Sequence, residues 1–458
     1  MNNNLLLIQQ TKTPTAAYCG AYKILIVYVL INSDIIFSNQ ILLLLYELIM
    51  SAEYPKIEYD HIYIENLTFK EFNQMVYHLN ELIEYKGYEE IYLCFNQNLN
   101  YVYSDILLQF SGILDYYQSR KKINIKFDGY DNQSYIKNTF FQDPRLISEN
   151  KSWMQGSPLR IVWRFEDSND AHDYVNSIID QISNVREVKK GFLKTLEWSL
   201  WEILDNVIQH SDAGYGLILS DIVSDKKVEI AVFDDGKGIY NTLKYSAHSP
   251  NNAKDAIYLS MQENVTRDIQ IGQGNGLYGL FETVKQNKGR LSIASSNSIV
   301  IMEESGTPRD FKISTIDLNE HACTRVNYNL YFDNEADIGK ALGYVPVDFR
   351  IEQFEDDTSD VLQYLVIEHG HGFGTRKAGE MMRNNVVNLI TDTKKPIKLN
   401  FKGIRMISSS FADEFIGKLF NIYGPIGFAN YFTLTNMDET VKQIVTQAVD
   451  KRITSTSK

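Results

Sequence analysis

The chain has little cysteine and no excess of positive charge. Its 458 residues include three cysteines, Cys19, Cys94 and Cys323, which lie far apart. They have neither the spacing of metal ligands nor the even number of a disulfide framework, so a reducing, cytoplasmic compartment is expected. The formal net charge of -13 argues against general nucleic-acid binding, because phosphate contacts need clustered Lys and Arg.

Long hydrophobic runs are also missing. The apolar stretches 24–31 and 41–45 are separated by polar residues, and neither reaches the ~18 residues that a membrane span needs. Three interpretations of residues 1–50 stay open: a weak membrane hairpin, a buried N-terminal element, or an extension upstream of a start at Met50. No firm membrane association is predicted.

What is present is the composition of a soluble globular protein, with 44% hydrophobic and 22% charged residues. Strand-like and helix-like segments alternate along the chain, which predicts an α/β fold. The predicted organisation is an uncertain apolar extension (1–50), an α/β domain (51–150), a larger domain of helices on one face of a mixed sheet (155–335), an acidic linker (336–360) and a second small α/β domain (361–450).

The first candidate motif lies on a predicted helix over 194–210. Leu196, Leu200, Leu204 and similar apolar residues form its buried stripe. Glu202 and Asn206 are four residues apart and therefore share one face, with His210 one turn further along. A carboxylate that can accept a proton thus lies beside an amide oxygen that can ligate Mg²⁺. A solvated polar face explains this pair equally well.

A second motif follows the predicted strand 228–233. Here the chain continues Asp234-Asp235-Gly236-Lys237-Gly238. A carboxylate at the end of a strand can accept a hydrogen bond from an adenine amino group, and glycines allow the backbone to approach a purine ring. Such turns are also common in hairpins.

The third motif is glycine-rich and leads into a predicted helix. It contains Gly272, Gly274, Gly276, Leu277 and Gly279. A glycine-rich loop at a helix N-terminus offers backbone N–H groups to phosphates. The loop is not a Walker A motif, because no Gly-Lys-Ser/Thr follows, and it does not follow the first strand of a βαβ unit as a dinucleotide site would.

The three motifs, in this order, resemble those of the GHKL ATPase superfamily, which includes gyrase-type topoisomerases, heat-shock chaperones, histidine kinases and mismatch-repair ATPases. The matching segments run from Glu202 to Asn206, from Asp234 to Gly238 and from Gly272 to Leu277. A fourth element of the family, Gly-Thr, appears here as Cys323-Thr324, so the glycine is replaced. The resemblance covers about 160–335.

This resemblance implies a helix-on-sheet α/β sandwich that binds ATP and Mg²⁺, with residues 240–271 as a lid over the nucleotide. Glu202 would be the general base and Asn206 the Mg²⁺ ligand. The remaining expected ATP contacts are His210, Asp234, Gly236, Gly238, Gly272, Gly274, Gly276, Leu277, Gly279 and Thr324.

The C-terminal block resembles a STAS-like family of unknown function and, through it, the STAS antagonists of anti-sigma factors. The resemblance rests on the strand 397–401 and the following Ser408-Ser409-Ser410 before a predicted helix. It implies Ser409, or next Ser410, as a phosphoacceptor, although serine at a helix start is also a preferred N-cap. The 51–150 block has a similar layout and is either STAS-like or a generic α/β domain.

Two classes of function stay open. The protein is either a Mg²⁺-dependent ATPase or serine kinase that acts in partner-switching signalling, or a non-catalytic, nucleotide-dependent switch. The expected partners are ATP and either another protein or the chain's own STAS-like domain, and a homodimer is compatible with this organisation. Bacterial stress or phage-defence regulation is the setting that the architecture suggests.

Overall fold

The computed structural model describes residues 56–455, except for 96–98, 100–101, 134, 149–156, 266–274, 313–316, 319–320, 345, 347, 357–358 and 371. The predicted extension 1–50 lies outside the described residues. Within them, no helix has the length and apolar character needed to cross a membrane. The α/β class predicted from the sequence is confirmed.

The N-terminal domain is built on a four-stranded sheet in the order β1-β2-β3-β4. Strand β1 is antiparallel to β2, whereas β2, β3 and β4 are parallel, because a helix returns the chain between successive strands. Both connecting helices end in a π-helical turn, over Glu81–Tyr85 and Tyr116–Arg120. The elements are β1 (Lys56–Glu58), β2 (His61–Ile64), α1 (Phe69–Asn80), β3 (Glu90–Phe95), α2 (Ser104–Asp115), β4 (Asn124–Asp128) and α3 (Arg145–Ser148).

The central domain contains a seven-stranded sheet in the order β10-β9-β8-β13-β7-β6-β5. Its strands are β5 (Trp163–Phe165), β6 (Gly216–Val223), β7 (Lys227–Asp234), β8 (Leu291–Ser295), β9 (Ser298–Met302), β10 (Pro308–Lys312) and β13 (Thr324–Tyr331). The short pair β11 (Asp317–Leu318) and β12 (His321–Ala322) forms a separate ladder. The helices of the central domain are α4 (Ser168–Val185), α5 (Phe192–His210), α6 (Gly238–Leu243), α7 (Ala253–Ser260) and α8 (Gly276–Asn287).

Every neighbouring pair of strands in this central sheet is antiparallel. Our prediction that this sheet mixes parallel and antiparallel strands is therefore wrong. The reason is the connections: β6 and β7, and likewise β8 and β9, follow each other through tight turns, and such hairpins join only antiparallel strands.

The two faces of the central sheet are covered by different parts of the chain. The helices α4, α5, α7 and α8 share one core with Ile230, Val232 and Tyr328 of the sheet. On the opposite face, α2 of the N-terminal domain packs on β6, β7 and β13. Leu217, Phe233 and Ala294 point to that side and join the core of the N-terminal domain. The predicted layer of helices is present, and a second domain closes the other face.

The C-terminal domain has a three-stranded parallel sheet in the order β14-β15-β16. Its elements are β14 (Leu362–Leu365), α11 (Arg376–Thr393), β15 (Ile397–Asn400), α12 (Ser409–Ala412), α13 (Lys418–Tyr431), β16 (Phe432–Thr435) and α14 (Glu439–Ser455). A π-helical turn, Asp413–Gly417, joins α12 to α13. The segment predicted as a linker carries two short helices, α9 (Ile338–Leu342) and α10 (Phe349–Glu352).

Candidate functional site

Glu202 and Asn206 lie on α5, and both side chains are partly exposed. Leu196, Leu200 and Leu204 of the same helix are buried in the central core, which fixes the direction of the opposite face. Burial, together with the neighbouring Asp205, raises the pKa of the Glu202 carboxyl to about 7. A carboxyl group with this pKa can take up and release a proton near neutral pH, as a general base must.

Gly276, the first residue of α8, lies directly against this pair. A Cβ atom at position 276 would lie 2.6 Å from Glu202 Oε2 and 3.4 Å from Asn206 Nδ2. Three residues later, a Cβ at Gly279 would lie 2.3 Å from the ring of Trp198 on α5. These two glycines therefore allow α8 to approach α5 closely. The first and third sequence motifs meet at the N-terminus of α8.

Asp234 is the last residue of β7, and its side chain lies on the helix side of the sheet. The alternation along the strand shows this: Val232 belongs to the helix-side core, whereas Phe233 belongs to the core shared with the N-terminal domain. The Asp234 carboxylate accepts a hydrogen bond of 2.9 Å from the Gly236 N–H. Burial raises its pKa to about 7, against the opposing effect of that hydrogen bond.

Thr324 is the residue opposite Asp234 in the antiparallel pairing of β13 with β7. Directly paired residues of antiparallel strands point to the same face, so Thr324 and Asp234 share the helix side. Ser295 of β8 is paired with Thr324 on the other flank, and their hydroxyl oxygens are 3.5 Å apart. Ser295 also accepts a hydrogen bond of 2.9 Å from the Ile239 N–H. The second and fourth motifs are thus adjacent in the sheet.

The glycines of the second motif occupy restricted positions. A Cβ at Gly236 would lie 2.2 Å from the carbonyl oxygen of Ser211, so only glycine fits between this turn and the end of α5. Gly238 begins α6 with a φ of 75°, a left-handed value that favours glycine. Leu277 is partly buried against the helix-side core.

Three of the predicted contacts cannot be placed. Gly272 and Gly274 lie outside the described residues, as does the part of the predicted lid from 266 to 271. His210 is the last residue of α5, but its side chain is outside the description. In the described part of the lid, Ala256 and Ile257 of α7 are buried, and Ile257 belongs to the helix-side core.

The donor set fits a nucleotide-bound Mg²⁺ better than a metal held by the protein alone. The described residues contain no group of three or more His, Cys, Asp or Glu side chains that could hold a metal. Mg²⁺ is commonly held by one or two protein oxygens together with substrate phosphates and water. The amide oxygen of Asn206 beside Glu202 suits that mode, and the N-terminus of α8 lies against both side chains at Gly276.

The candidate phosphoacceptors lie in the C-terminal domain. Ser408, not Ser409, is the N-cap of α12, and its hydroxyl accepts a hydrogen bond of 3.0 Å from the Phe411 N–H. Ser409 is exposed, and the Ser410 hydroxyl lies 2.9 Å from that of Ser408. A Cβ at Gly379 would lie 2.7 Å from the Phe411 carbonyl oxygen, so α12 packs on the N-terminal part of α11.

The opposite, C-terminal part of α11 binds the central domain through polar side chains. Asn388 accepts from the Val188 N–H at 2.9 Å and donates to the carbonyl groups of Ser183 at 3.0 Å and Arg186 at 2.9 Å. The other polar contacts on this face of α11 come from Asn384, Asn385 and Asp392. We refer to these four residues as the asparagine face. It binds the turn between α4 and α5.

The connecting segment between the two domains contacts both of them. Arg350 of α10 pairs with Asp392 of the asparagine face. A Cβ at Gly279 would lie 3.0 Å from Leu342 of α9, at the third motif. Burial and, after it, the nearby Glu202 carboxylate raise the pKa of the Tyr344 phenol. The segment therefore passes the candidate nucleotide site before it reaches the C-terminal domain. Sequence analysis missed these contacts, because only the acidic composition of the segment was visible there.

The family comparison identifies the C-terminal domain. Residues 378–442 match the model of the STAS-like domain of unknown function (DUF4325). These residues form a STAS-like domain. That part of the expectation is confirmed, and the match does not extend to the central domain.

The other comparisons add little. No curated protein matches the sequence. Among solved structures, the crystal structure of full-length ShkA in complex with AMPPNP matches at 13% identity over 75% of this chain and 69% of that chain, with a TM-score of 0.22. A likeness at this level supports no argument about fold or function.

Proposed function

We propose that the central domain is a GHKL-type, Mg²⁺-dependent ATP-binding domain whose nucleotide state is transmitted to the STAS-like domain. The observation that carries this proposal is the meeting of the sequence motifs in space. Gly276 abuts Glu202 and Asn206, and Thr324 is paired with Asp234. Residues that are about 70 to 90 positions apart in sequence are thus adjacent in the structure.

Each group has a role that its surroundings support. The ionised Asp234 carboxylate would accept a hydrogen bond from the adenine amino group, beside the hydroxyl of Thr324. The N-terminus of α8 would face the phosphates with its free N–H groups and positive dipole end. Mg²⁺, held by Asn206 and the phosphates, would neutralise charge on the triphosphate.

Transmission to the STAS-like domain is supported by the connecting segment. Tyr344 lies near Glu202, Leu342 packs near Gly279, and Arg350 pairs with Asp392. A nucleotide that alters the position of α8 relative to α5 would therefore act on the same segment that holds the STAS-like domain. This arrangement favours the switch among the two classes of function.

Catalysis is the second candidate, and the raised pKa of Glu202 favours it. A base with a pKa of about 7 could activate water or a serine hydroxyl. Phosphate transfer to the chain's own Ser409 is less well supported, because α12 packs at the end of α11 opposite the asparagine face. The asparagine face itself binds the start of α5, and Glu202 lies about 16 Å further along that helix.

The proposal is tested by titrating the purified protein with ATP and Mg²⁺ in a calorimeter. We expect Asp234→Asn to weaken binding at least about tenfold, the effect of losing roughly 1.4 kcal/mol, since an amide presents a donor as well as an acceptor to the adenine amino group. The exposed Asp333→Asn is the matched control. Equal affinity in the wild type and Asp234→Asn would contradict the assignment of the adenine pocket.

Glu202→Ala separates the two classes of function. A catalytic Glu202 predicts that this variant binds ATP but loses turnover. A switch predicts that the distance between spin labels at positions 254 and 409 changes with nucleotide in the wild type, whether or not any phosphate is released.

A further inference from the structure

The N-terminal domain supplies a cation to the second motif of the candidate nucleotide site. Arg120 is the last residue of the π-helical turn that extends α2. Its guanidinium forms an ion pair with Asp235, whose side chain is 1% exposed, whereas that of Arg120 is 37% exposed. Asp235 is the residue after Asp234, and it lies on the face of the sheet that the N-terminal domain covers.

The turn that carries Asp234 is therefore held from both faces. On the helix side, Gly236 is in close contact with the end of α5 at Ser211. On the other side, Phe233 packs over Gly112 of α2, where a Cβ would lie 2.2 Å from the ring. Arg120 then binds Asp235 two residues further along the chain. The backbone position of Asp234 thus depends on the docking of the N-terminal domain.

We propose that Arg120 is a positioning residue for the nucleotide: through its ion pair with Asp235 it orients and electrostatically supports Asp234, so that the docked N-terminal domain sets the affinity for ATP. This inference rests on the proposed function, because it takes Asp234 as the acceptor for the adenine amino group.

The charges around the turn explain why Arg120 matters. The adjacent carboxylate of Asp235 raises the pKa of Asp234, although burial is the larger cause. The other titratable groups that face Asp235 are Cys323 and Tyr215, the residue before β6. Across the domain interface, Asp115 accepts a hydrogen bond of 2.5 Å from the Tyr215 hydroxyl. Arg164 lies over the Tyr215 ring and 3.8 Å from Asp115, so it balances those two groups, whereas Arg120 forms the ion pair with Asp235 and offsets its charge from the N-terminal domain.

Without Arg120, the buried carboxylate of Asp235 loses its ion-pair partner on the face of the sheet opposite Asp234. Its uncompensated negative charge then acts on the adjacent Asp234 and raises the pKa of that carboxyl further. The ionised fraction of Asp234 at neutral pH then falls, and ATP loses its acceptor. An increase of one unit in the pKa of Asp234 would weaken ATP binding about tenfold at a pH well below that pKa.

The experiment measures the dissociation constant of Mg·ATP from pH 6 to pH 9 in the full chain. We expect Arg120→Ala to weaken binding about tenfold at pH 6, with the loss recovered as the pH rises. Arg120→Lys should retain most of the affinity. Arg120→Ala combined with Asp235→Asn removes both charges and should restore the wild-type pH profile. Tyr215→Phe is the control, since it removes a hydrogen bond across the same interface without changing charge.

The outcomes separate this inference from the proposed function. If the wild type does not bind Mg·ATP, the proposed function fails and the inference fails with it. If the wild type binds and Arg120→Ala binds equally well with the same pH profile, the inference alone is overturned. It is also overturned if the double variant is as weak as Arg120→Ala at every pH, since the effect would then be loss of packing. If Arg120→Ala does not fold, the double variant and Arg120→Lys decide.

Discussion

The two small α/β domains bind the central domain in different ways. The N-terminal domain packs on β6, β7 and β13 of the central sheet. Phe233 and Leu217 of that sheet lie in the same core as Phe110 and Ile113 of α2. The C-terminal domain instead binds the turn between α4 and α5 through the amides of the asparagine face. One contact is a hydrophobic core, and the other is a set of hydrogen bonds, most of them to backbone groups and one to the Asn184 side chain.

This difference determines which of the two interfaces separates more easily. Separating the N-terminal domain exposes apolar area, which costs about 25 cal/mol per Å². Separating the C-terminal domain exchanges protein hydrogen bonds for hydrogen bonds to water, which changes the free energy by only about 1 kcal/mol for each bond. We therefore expect the N-terminal domain to be a permanent part of the nucleotide domain and the STAS-like domain to be the part that moves.

The largest expected effect is in the hydrophobic contact. Phe233→Ala should lower the free energy of unfolding by about 3–5 kcal/mol, because it leaves a cavity between β7 and α2. Urea denaturation would measure the change. Phe311, which is 53% exposed, provides the control, and Phe311→Ala should be nearly neutral. Similar losses in both variants would mean that the shared core does not hold the domains together.

A smaller effect is expected in the polar contact. Asn388→Ala removes the partners of the Val188 N–H and of the Ser183 and Arg186 carbonyl groups. Leaving buried backbone groups unsatisfied costs about 1–3 kcal/mol each, and water entering the gap reduces this, so a loss of about 2–4 kcal/mol is expected. Limited proteolysis of the 336–360 segment should accelerate in parallel.

The control for this second variant is Asn436→Ala. Its amide donates a hydrogen bond of 3.0 Å to Asn400 on the surface of the same domain. Unchanged proteolysis in Asn388→Ala, or equal acceleration in both variants, would show that the asparagine face does not hold the domain in place.

The pH dependence of stability should come in part from Glu197 of α5, near the connecting segment. Burial, with Asp348 nearby, raises the pKa of Glu197 from 4.5 to about 7, although Arg350 acts in the opposite direction. A raised pKa means that the folded state holds the proton more tightly. Its contribution to stability is therefore complete below the unfolded pKa and is lost as the pH rises through the folded pKa.

Glu197→Gln should remove this part of the pH dependence. We expect the variant to match the wild type near pH 4.5 and to be more stable by about 3 kcal/mol at pH 8, since one pKa unit corresponds to about 1.4 kcal/mol. Thermal unfolding over that pH range would measure it, with the exposed Glu352→Gln as control. A constant offset at all pH values would show that the change acts through packing and not through titration.

The smallest effect is expected far from both interfaces, at the start of α12. Ser408→Ala should cost about 1 kcal/mol, because it removes the N-cap of α12, whereas Ser409→Ala should change stability by less than about 0.5 kcal/mol. Because Ser409 is exposed and has no capping role, loss of phosphate incorporation in Ser409→Ala could not be attributed to unfolding. Incorporation that persists in Ser409→Ala would exclude that residue as the acceptor.

The sequence predicted those parts of the site that depend on local pattern. The apolar stripe of α5 determined the face on which Glu202 and Asn206 lie, and the strand before Asp234 was visible from the apolar residues 230–233 that lead into it. The resemblance of the C-terminal block to a STAS-like family is confirmed over 378–442. The roles of the ATP-binding residues stay predictions.

The contacts between domains could not be predicted from pattern. Arg120 and Asp235 are far apart in sequence, and a charged residue at a helix end is ordinarily solvated. The asparagines of α11 have the same polar appearance as a surface helix, yet Asn384, Asn385 and Asn388 are buried. The antiparallel order of the central sheet depends on which strands are joined by hairpins. The alternation of apolar residues along each strand does not indicate this.

The shared core between α2 and the central sheet also constrains the synthesis of the chain. Gly112 leaves the ribosome about 120 residues before Phe233, a delay of roughly ten seconds at typical translation rates. During that time the side of α2 that will face the central sheet has no partner. It is then a target for chaperones and for aggregation. A fragment that begins after residue 157 would face the converse problem, because Leu217, Leu219 and Phe233 would be exposed on its sheet. Expression of the central domain alone should therefore give insoluble protein unless the N-terminal domain is supplied.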